Sequence, residues 1–178
     1  MIRKVSRHLR RFSRREDGSA TVEFSILFLP MFTFLLSAVE IGMIHIHHSM
    51  LERAVDMTVR DIRLGTGTAP QHDQIRQTIC DRAGFIDDCS GSVRIEMVLM
   101  DPFNWTNPPT DADCIDQSQT IAPVRSFTNG ASNQLMFMRV CATFDPVFPT
   151  IGMGKNLIKD GAGKYALIST AAFVQEPG

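Results

Sequence analysis

The chain has 178 residues, so it holds at most one ordinary domain beside a membrane segment. Its formal net charge of −1 is unevenly distributed, because residues 1–18 contain seven arginines and lysines against two acidic residues. A basic leader in front of a hydrophobic span predicts an N-terminus in the cytoplasm and a C-terminal body outside. The alternative, a nucleic-acid-binding arm, is disfavoured because a membrane-length apolar run follows at once, and no nucleic-acid partner is expected.

The run from Phe24 to Ile44 is apolar over 21 residues, apart from the single charge of Glu40 and the single proline, Pro30. A helix of that length extends roughly 31 Å, which matches the hydrocarbon core of a bilayer. We therefore predict a transmembrane segment at about residues 24–44. Pro30 removes one helix hydrogen bond and is expected to bend or loosen the span.

The helix is predicted to continue beyond the membrane. Five residues recur at steps of three and four and so share one helical face. They are Leu51, Ala54, Val55, Thr58 and Ile62. Because neither proline nor glycine interrupts residues 43–64, we predict one continuous helix over residues 19–64, with its first half in lipid and its second half facing water.

The remaining residues, 65–178, are predicted to form a small extracytoplasmic domain. A second helix is expected from Gln71 to Ala83, and residues 101–122 read as a long, proline-containing loop. Alternating or branched apolar residues predict strands at Val93–Met100, Leu135–Phe144 and Tyr165–Val174. The predicted fold class is α+β, with three or four antiparallel strands packed on the lower half of the long helix.

Four cysteines lie on the exported side: Cys80, Cys89, Cys114 and Cys141. No C-x-x-C pattern occurs, so a metal cluster is not indicated, and an oxidising compartment favours two disulfides. Four cysteines allow three pairings. We favour Cys80–Cys89 and Cys114–Cys141 because each pair is adjacent along the chain, and free buried thiols are the alternative.

The sequence contains none of the common catalytic patterns, such as G-x-S-x-G, H-E-x-x-H or a P-loop. Two clusters of ligand-type residues stand out: Asp111, Asp113 and Asp116, and His45, His47 and His48. The aspartates lack the glycine and closing glutamate of an EF-hand loop. We expect a solvated loop and interfacial histidines, hence no enzyme, metal or cofactor. The alternative is an uncleaved, membrane-anchored periplasmic enzyme or calcium- or metal-binding protein.

Two acidic residues lie near the ends of the span, Glu23 just before the apolar run at the cytoplasmic boundary and Glu40 within it near the outer boundary. The alternative for either is that its carboxylate only snorkels to the interface. A carboxylate in hydrocarbon costs about 2.5–3.5 kcal/mol on insertion scales, so such a residue suggests a functional role with a defined partner. The two lie 17 residues apart, which turns them about 100° around the helix. They therefore do not share one partner face.

Residues 18–24 read G-S-A-T-V-E-F, follow the basic leader and head the apolar helix. This arrangement resembles a type IV prepilin cleavage site. The resemblance implies that a prepilin peptidase cuts after Gly18 on the cytoplasmic side and leaves Ser19 as an N-terminus that is commonly methylated. It also implies that Glu23, the fifth residue after the cut, meets the amine of a neighbouring subunit.

A closer resemblance is to the TadE-like proteins of tight-adherence (Tad) pilus systems. Residues 10–24 (RRFSRREDGSATVEF) are similar to the opening of that family, and residues 39–42 (VEIG) are similar to its V-E-x-G element. Residues 51–60 resemble its polar helix, and residues 165–177 (YALISTAAFVQEP) resemble its closing strand. The histidine cluster and the four cysteines do not map onto the family.

The resemblance implies a minor pilin or pseudopilin, a non-enzymatic component of Tad-type pilus biogenesis in the bacterial inner membrane. The implied partners are a prepilin peptidase, other pilins or pseudopilins, inner-membrane platform proteins and membrane lipid. The residues expected to mediate helix packing and assembly are Glu23, Phe24, Pro30, Glu40 and Gly42.

Overall fold

The computed structural model describes residues 19–64, 70–86, 88–104, 106–107, 112, 114 and 127–177. Its helices are α1 (Ser19–Arg63), α2 (His72–Ala83), α3 (Cys89–Ser92) and α4 (Gly152–Asn156). Its strands are β1 (Val93–Met100), β2 (Leu135–Phe144) and β3 (Tyr165–Val174). The leader, residues 1–18, lies outside the described residues, as does most of the segment between β1 and β2.

The long helix α1 runs for 45 residues without a break, including at Pro30. The Thr33 hydroxyl donates to the Pro30 carbonyl at 2.8 Å, which gives one backbone acceptor near the proline a partner. Arg60 and Arg63 lie in the last turn, where positive charge complements the helix dipole. The predicted continuous helix is thus present, and it ends at Arg63.

Helix α2 begins one residue later than expected because Gln71 caps it. The backbone N–H of Gln71 donates to the Gln74 side-chain oxygen at 2.9 Å. At the other end Gly84 adopts a left-handed conformation with φ of 61°, and its N–H donates to the Cys80 carbonyl. Glycine tolerates this conformation, which terminates the helix.

The three strands form one antiparallel sheet in the order β1-β2-β3, with β2 in the centre. The register pairs Ile95 with Val140 and Met138 with Ala171. All three strands begin and end at the residues predicted from the sequence, the first two from alternating apolar residues and the third from its small and branched residues. The α+β fold class, a long helix followed by a small antiparallel sheet, is confirmed.

The core lies between one face of the sheet and the second half of α1, with α2 closing one side. The sheet contributes its inward-facing residues and the helices contribute the face predicted from helical spacing. The largest fully buried apolar members are Leu51, Val55, Ile75, Ile79, Val93, Ile95, Met97, Met136, Met138 and Val140. Burial of these side chains is the main force that holds the sheet on the helix.

The opposite face of the sheet is also partly buried, which strand alternation alone does not reveal. Arg94 and Arg139 are each 7% exposed on this face. Arg139 forms an ion pair with Glu96, its direct partner in the register of β1 and β2. Cys114 is joined by a disulfide to Cys141 in β2, which fixes residue 114 next to the central strand.

Candidate assembly surface

The first half of α1 stands apart from the rest of the described chain. Every residue from 20 to 35 is exposed, and most of them are apolar. The large apolar side chains exposed here are Val22, Phe24, Ile26, Leu27, Phe28, Leu29, Met31, Phe32, Phe34 and Leu35. Soluble monomers rarely expose an apolar surface of this size. Among the described residues, α1 is the one helix long and apolar enough to cross a membrane.

One face of this surface is an aromatic row. The rings of Phe24 and Phe28 lie 5.4 Å apart, and those of Phe28 and Phe32 lie 5.6 Å apart. Residues four apart share a helical face, so the three rings form a continuous ridge along α1. Such a ridge presents a shaped apolar surface to lipid or to another helix.

The predicted cleavage site lies at the start of this surface. Gly18 is outside the described residues, and Ser19 is the first residue of α1. Glu23 lies one turn further on and is exposed. Glu23 and Phe24 therefore both lie in the exposed first half of α1.

Glu40 has a different environment, although the sequence groups it with the same residues. Its side chain is 1% exposed, and its two carboxylate oxygens accept hydrogen bonds from the chain's own backbone. The N–H of Val147 donates to one oxygen at 3.1 Å, and the N–H of Phe148 donates to the other at 2.7 Å. Two charge-assisted bonds of this kind offset the cost of burying a carboxylate. Glu40 thus binds the connection between β2 and β3.

Two glycines allow that connection to approach α1 closely. A Cβ atom on Gly154 would lie 2.4 Å from the Phe148 carbonyl oxygen and 2.9 Å from a Glu40 carboxylate oxygen. Gly152 has φ of +61°, and a Cβ atom there would lie 2.6 Å from the Ser37 hydroxyl. Ser37 in turn accepts a hydrogen bond from the Met153 N–H at 3.1 Å. The domain therefore contacts α1 from Ser37 onwards, inside the predicted transmembrane run.

Gly42 lies on a different side of the helix from these contacts. It is exposed, and a Cβ atom placed on it would meet nothing within 4 Å. Close packing within this chain therefore does not require a glycine there. The open surface is suited to the close approach of another helix.

His47 and Tyr165 form part of an aromatic cluster where α1 meets the sheet. The His47 ring stacks on Phe144 at 4.7 Å and on Phe85 at 5.5 Å, and its Nδ1 lies 3.2 Å from the Tyr165 hydroxyl. His48 lies at the surface, 3.7 Å from Glu52. These contacts give His47 a packing role at this interface.

Tyr165 offers a direct pH-dependent signal from this cluster, because it is the only tyrosine in the chain. Burial, with smaller contributions from the charges of Glu40 and Asp145, raises the pKa of Tyr165 to about 12. The folded state therefore holds the phenolic proton more tightly than the unfolded state does, whose pKa is about 10. The resulting contribution to stability is complete below about pH 10 and is lost as the pH rises towards 12.

We expect ultraviolet titration of the detergent-solubilised protein to show a tyrosinate midpoint near pH 12 when folded. In urea the midpoint should fall to about pH 10. Glu40→Gln should lower the folded midpoint because it removes one of the negative charges. A folded midpoint equal to the one in urea would contradict the burial of Tyr165.

The four cysteines form two pairs. Cys80 is joined to Cys89 with a Cα–Cα distance of 5.8 Å, and Cys114 to Cys141 with a distance of 5.4 Å. These are the pairs favoured from their order along the chain. The first ties α2 to α3, and the second ties residue 114 to the central strand.

The weak calcium candidates Asp111, Asp113 and Asp116 lie outside the described residues. Within the part of the chain that the structure describes, no group of three histidine, cysteine, aspartate or glutamate side chains has a metal-binding arrangement. Of the clustered histidines, His47 packs against aromatic rings, Nε2 of His48 lies 3.2 Å from the Ile168 carbonyl oxygen, and His45 is exposed.

The described chain consists of a membrane-length helix with an exposed apolar half and a small α+β domain packed on its other half. This architecture is consistent with a small domain anchored to a membrane by one helix. A family model described as TadE-like protein matches residues 18–60, about a quarter of the chain. Comparison with curated proteins and with solved structures finds no match. The predicted resemblance is thus confirmed: residues 18–60 carry a TadE-like sequence, which suggests involvement in Tad pilus assembly.

Sequence reasoning did not identify the contacts of Ser37, Gly152 and Gly154 with the segment between β2 and β3. The G-x-G spacing of residues 152–154 is the one local signal of a close backbone approach. It gives no indication of which helix is approached. The acceptor role of Glu40 also depends on backbone amides more than 100 residues away.

Proposed function

We propose that this protein is a minor pilin or pseudopilin of a Tad-type pilus, a non-enzymatic part that is processed after Gly18. The supporting observation is that the family match, residues 18–60, begins at the proposed cut and includes the whole exposed apolar half of α1. A helix left uncovered by its own domain is suited to packing among similar helices in a membrane or a filament.

In this proposal the exposed half of α1 is the assembly element. The Phe24–Phe32 ridge packs against apolar helices of other subunits, and the open surface at Gly42 permits close helix contact. Glu23 pairs with the Ser19 amine of a neighbouring subunit, since opposite charges satisfy each other where water is excluded. Pro30 gives this half of the helix room to bend.

In this proposal the N-terminus lies in the cytoplasm and the domain lies on the periplasmic side of the inner membrane, which is the orientation that a basic leader predicts. The partners in this proposal are a prepilin peptidase, other pilins or pseudopilins, platform proteins and lipid. Two disulfides are consistent with an oxidising compartment for the domain. Glu40 acts within the subunit, where it fixes the domain on α1.

Mass spectrometry of the intact protein, extracted from membranes of cells that contain a Tad-type prepilin peptidase, tests the processing. We expect a mature chain that begins at Ser19 with one added methyl group, and an unprocessed chain in cells that lack the peptidase. Glu23→Gln should leave the cut intact but reduce recovery of the protein in the pilus fraction. A mature N-terminus other than Ser19, or wild-type piliation after deletion of the gene, would contradict the proposal.

A further inference from the structure

We propose that residues 147–159, named here the interfacial segment, lie in the outer headgroup region of the bilayer and bind anionic lipid. This inference rests on the proposed function in one respect, namely that the first half of α1 is embedded in a membrane. It adds a second lipid-binding element, contributed by the domain itself.

The contacts with α1 fix the position of the interfacial segment. Glu40 holds its beginning through the backbone of Val147 and Phe148. Ser37 holds the Met153 N–H, and a Cβ atom on Gly152 would lie 3.5 Å from the Thr33 carbonyl oxygen. The segment therefore reaches the level of Thr33. This is two residues before Leu35, the last residue of the stretch in which every residue of α1 is exposed.

The segment carries apolar side chains that its own domain does not cover. Val147, Ile151 and Met153 are exposed, and Ile158 is 94% exposed. Ile151 and Met153 flank Gly152, which lies against Ser37 and Thr33 near the end of the exposed half of α1. In the proposed placement, a bilayer that covers α1 up to Leu35 meets the apolar side chains of the segment.

The charges of the segment complement anionic headgroups. Lys155 is exposed in the last turn of α4, and Lys159 donates to the Pro149 carbonyl at 3.1 Å. Two acids flank these lysines: Asp145 is 70% exposed and pairs with Lys164 at 3.3 Å, and Oδ1 of Asp160 accepts from the Ala162 and Lys164 backbones. With Lys155, Lys159 and Lys164, residues 145–164 carry three positive charges against two negative ones. Apolar side chains with lysines beside them are typical of elements that lie in the membrane interface.

The inference also shortens the hydrocarbon-spanning part of α1. Ser37 lies seven residues before Ile44, so a span ending at Ile44 would submerge the segment by about 10 Å. Ending the hydrocarbon near Leu36 instead leaves 18 residues from Ser19, about 27 Å of helix. That length still crosses a bilayer, and it places the interfacial segment at the headgroups.

Tryptophan quenching by brominated lipids tests this placement in the full chain. The native tryptophan is unique, so a Trp105→Phe background permits one reporter at a time. The reporters are Ile158→Trp in the interfacial segment, Leu27→Trp in α1, and Phe103→Trp at the opposite end of the sheet. Ile158 and Phe103 are 94% and 99% exposed, so neither replacement disturbs the core.

In vesicles of phosphatidylglycerol and brominated phosphatidylcholine, we expect Ile158→Trp to lose about half of its emission, with the strongest effect from bromines close to the headgroup. Leu27→Trp should be quenched most by bromines deep in the acyl chain, and Phe103→Trp should be unaffected. Adding Lys155→Gln and Lys159→Gln should reduce the quenching of Ile158→Trp, and so should vesicles without phosphatidylglycerol.

Quenching of Ile158→Trp no greater than that of Phe103→Trp, with Leu27→Trp quenched, would overturn the interfacial placement and leave the membrane helix intact. Shielding of Ile158→Trp that rises with protein concentration but not with brominated lipid would also overturn it, in favour of a contact between copies. Absence of quenching at Leu27→Trp would overturn both this inference and the membrane anchoring in the proposed function.

Discussion

Glu40→Ala is expected to lower the free energy of unfolding by about 3–5 kcal/mol, because each hydrogen bond to a charged acceptor contributes roughly 1.5–3 kcal/mol. The replacement leaves the N–H groups of Val147 and Phe148 without their acceptor in a site that is closed to water. It also removes the carboxylate that Gly154 packs against. The connection between β2 and β3 should then detach from α1 before the core opens.

Denaturant unfolding in detergent micelles and limited proteolysis between residues 146 and 159 measure these two effects. Glu40→Gln retains one oxygen acceptor and should lose about half as much stability. Glu52→Ala is the matched control, since Glu52 lies on the same helix with its side chain half exposed. If Glu40→Ala and Glu52→Ala unfolded at the same denaturant concentration, the anchoring role of Glu40 would be wrong.

Removal of the Cys114–Cys141 disulfide as a double alanine variant is expected to cost about 3–4 kcal/mol. The bond closes a loop of 27 residues, and in the chain-entropy account a longer closed loop restricts the unfolded chain more. The Cys80–Cys89 bond closes a separation of 9 residues and should contribute about 2–3 kcal/mol. We therefore expect loss of the Cys114–Cys141 bond to reduce the free energy of unfolding more than loss of the Cys80–Cys89 bond.

The order is measured by comparing thermal and denaturant unfolding of the two double variants with the oxidised parent. Reduction of the parent with dithiothreitol should lower its stability to below that of either variant. Equal stability of the Cys114→Ala/Cys141→Ala variant and the parent would show that the long connection does not constrain the unfolded chain. The reverse order would show that strain or contacts at α3 outweigh loop length.

The elements could be predicted because their patterns are local. Strand β2 carries an apolar residue at every second position from Met136 to Phe144, and all five of these residues are buried. Helix α1 has an apolar first half and then a face that runs through Leu51 and Val55 to the core. In both cases the period of the apolar residues alone specifies the element and its buried side.

The role of Glu40 could not be predicted, because its partners are backbone amides, which every residue except proline possesses. A carboxylate within an apolar run suggests a partner, but nothing in the run specifies that the partner lies in the same chain. Arg94 and Arg139 illustrate the same difficulty on the sheet, since charged residues on a strand usually indicate a solvated face. Here both arginines are buried, and the ion pair of Arg139 with Glu96 depends on the pairing of two strands that lie far apart in the sequence.

Because α1 is one unbroken helix, a change in the tilt of its first half moves the domain on its second half. The 45 residues of this helix form a rod of roughly 65 Å whose first half is available to the bilayer and whose second half carries the sheet. Membrane helices commonly tilt by about 20°, and such a tilt displaces the far end of this rod by about 22 Å. A small change in the tilt of the first half of α1 within a membrane therefore becomes a large movement of the domain on the second half.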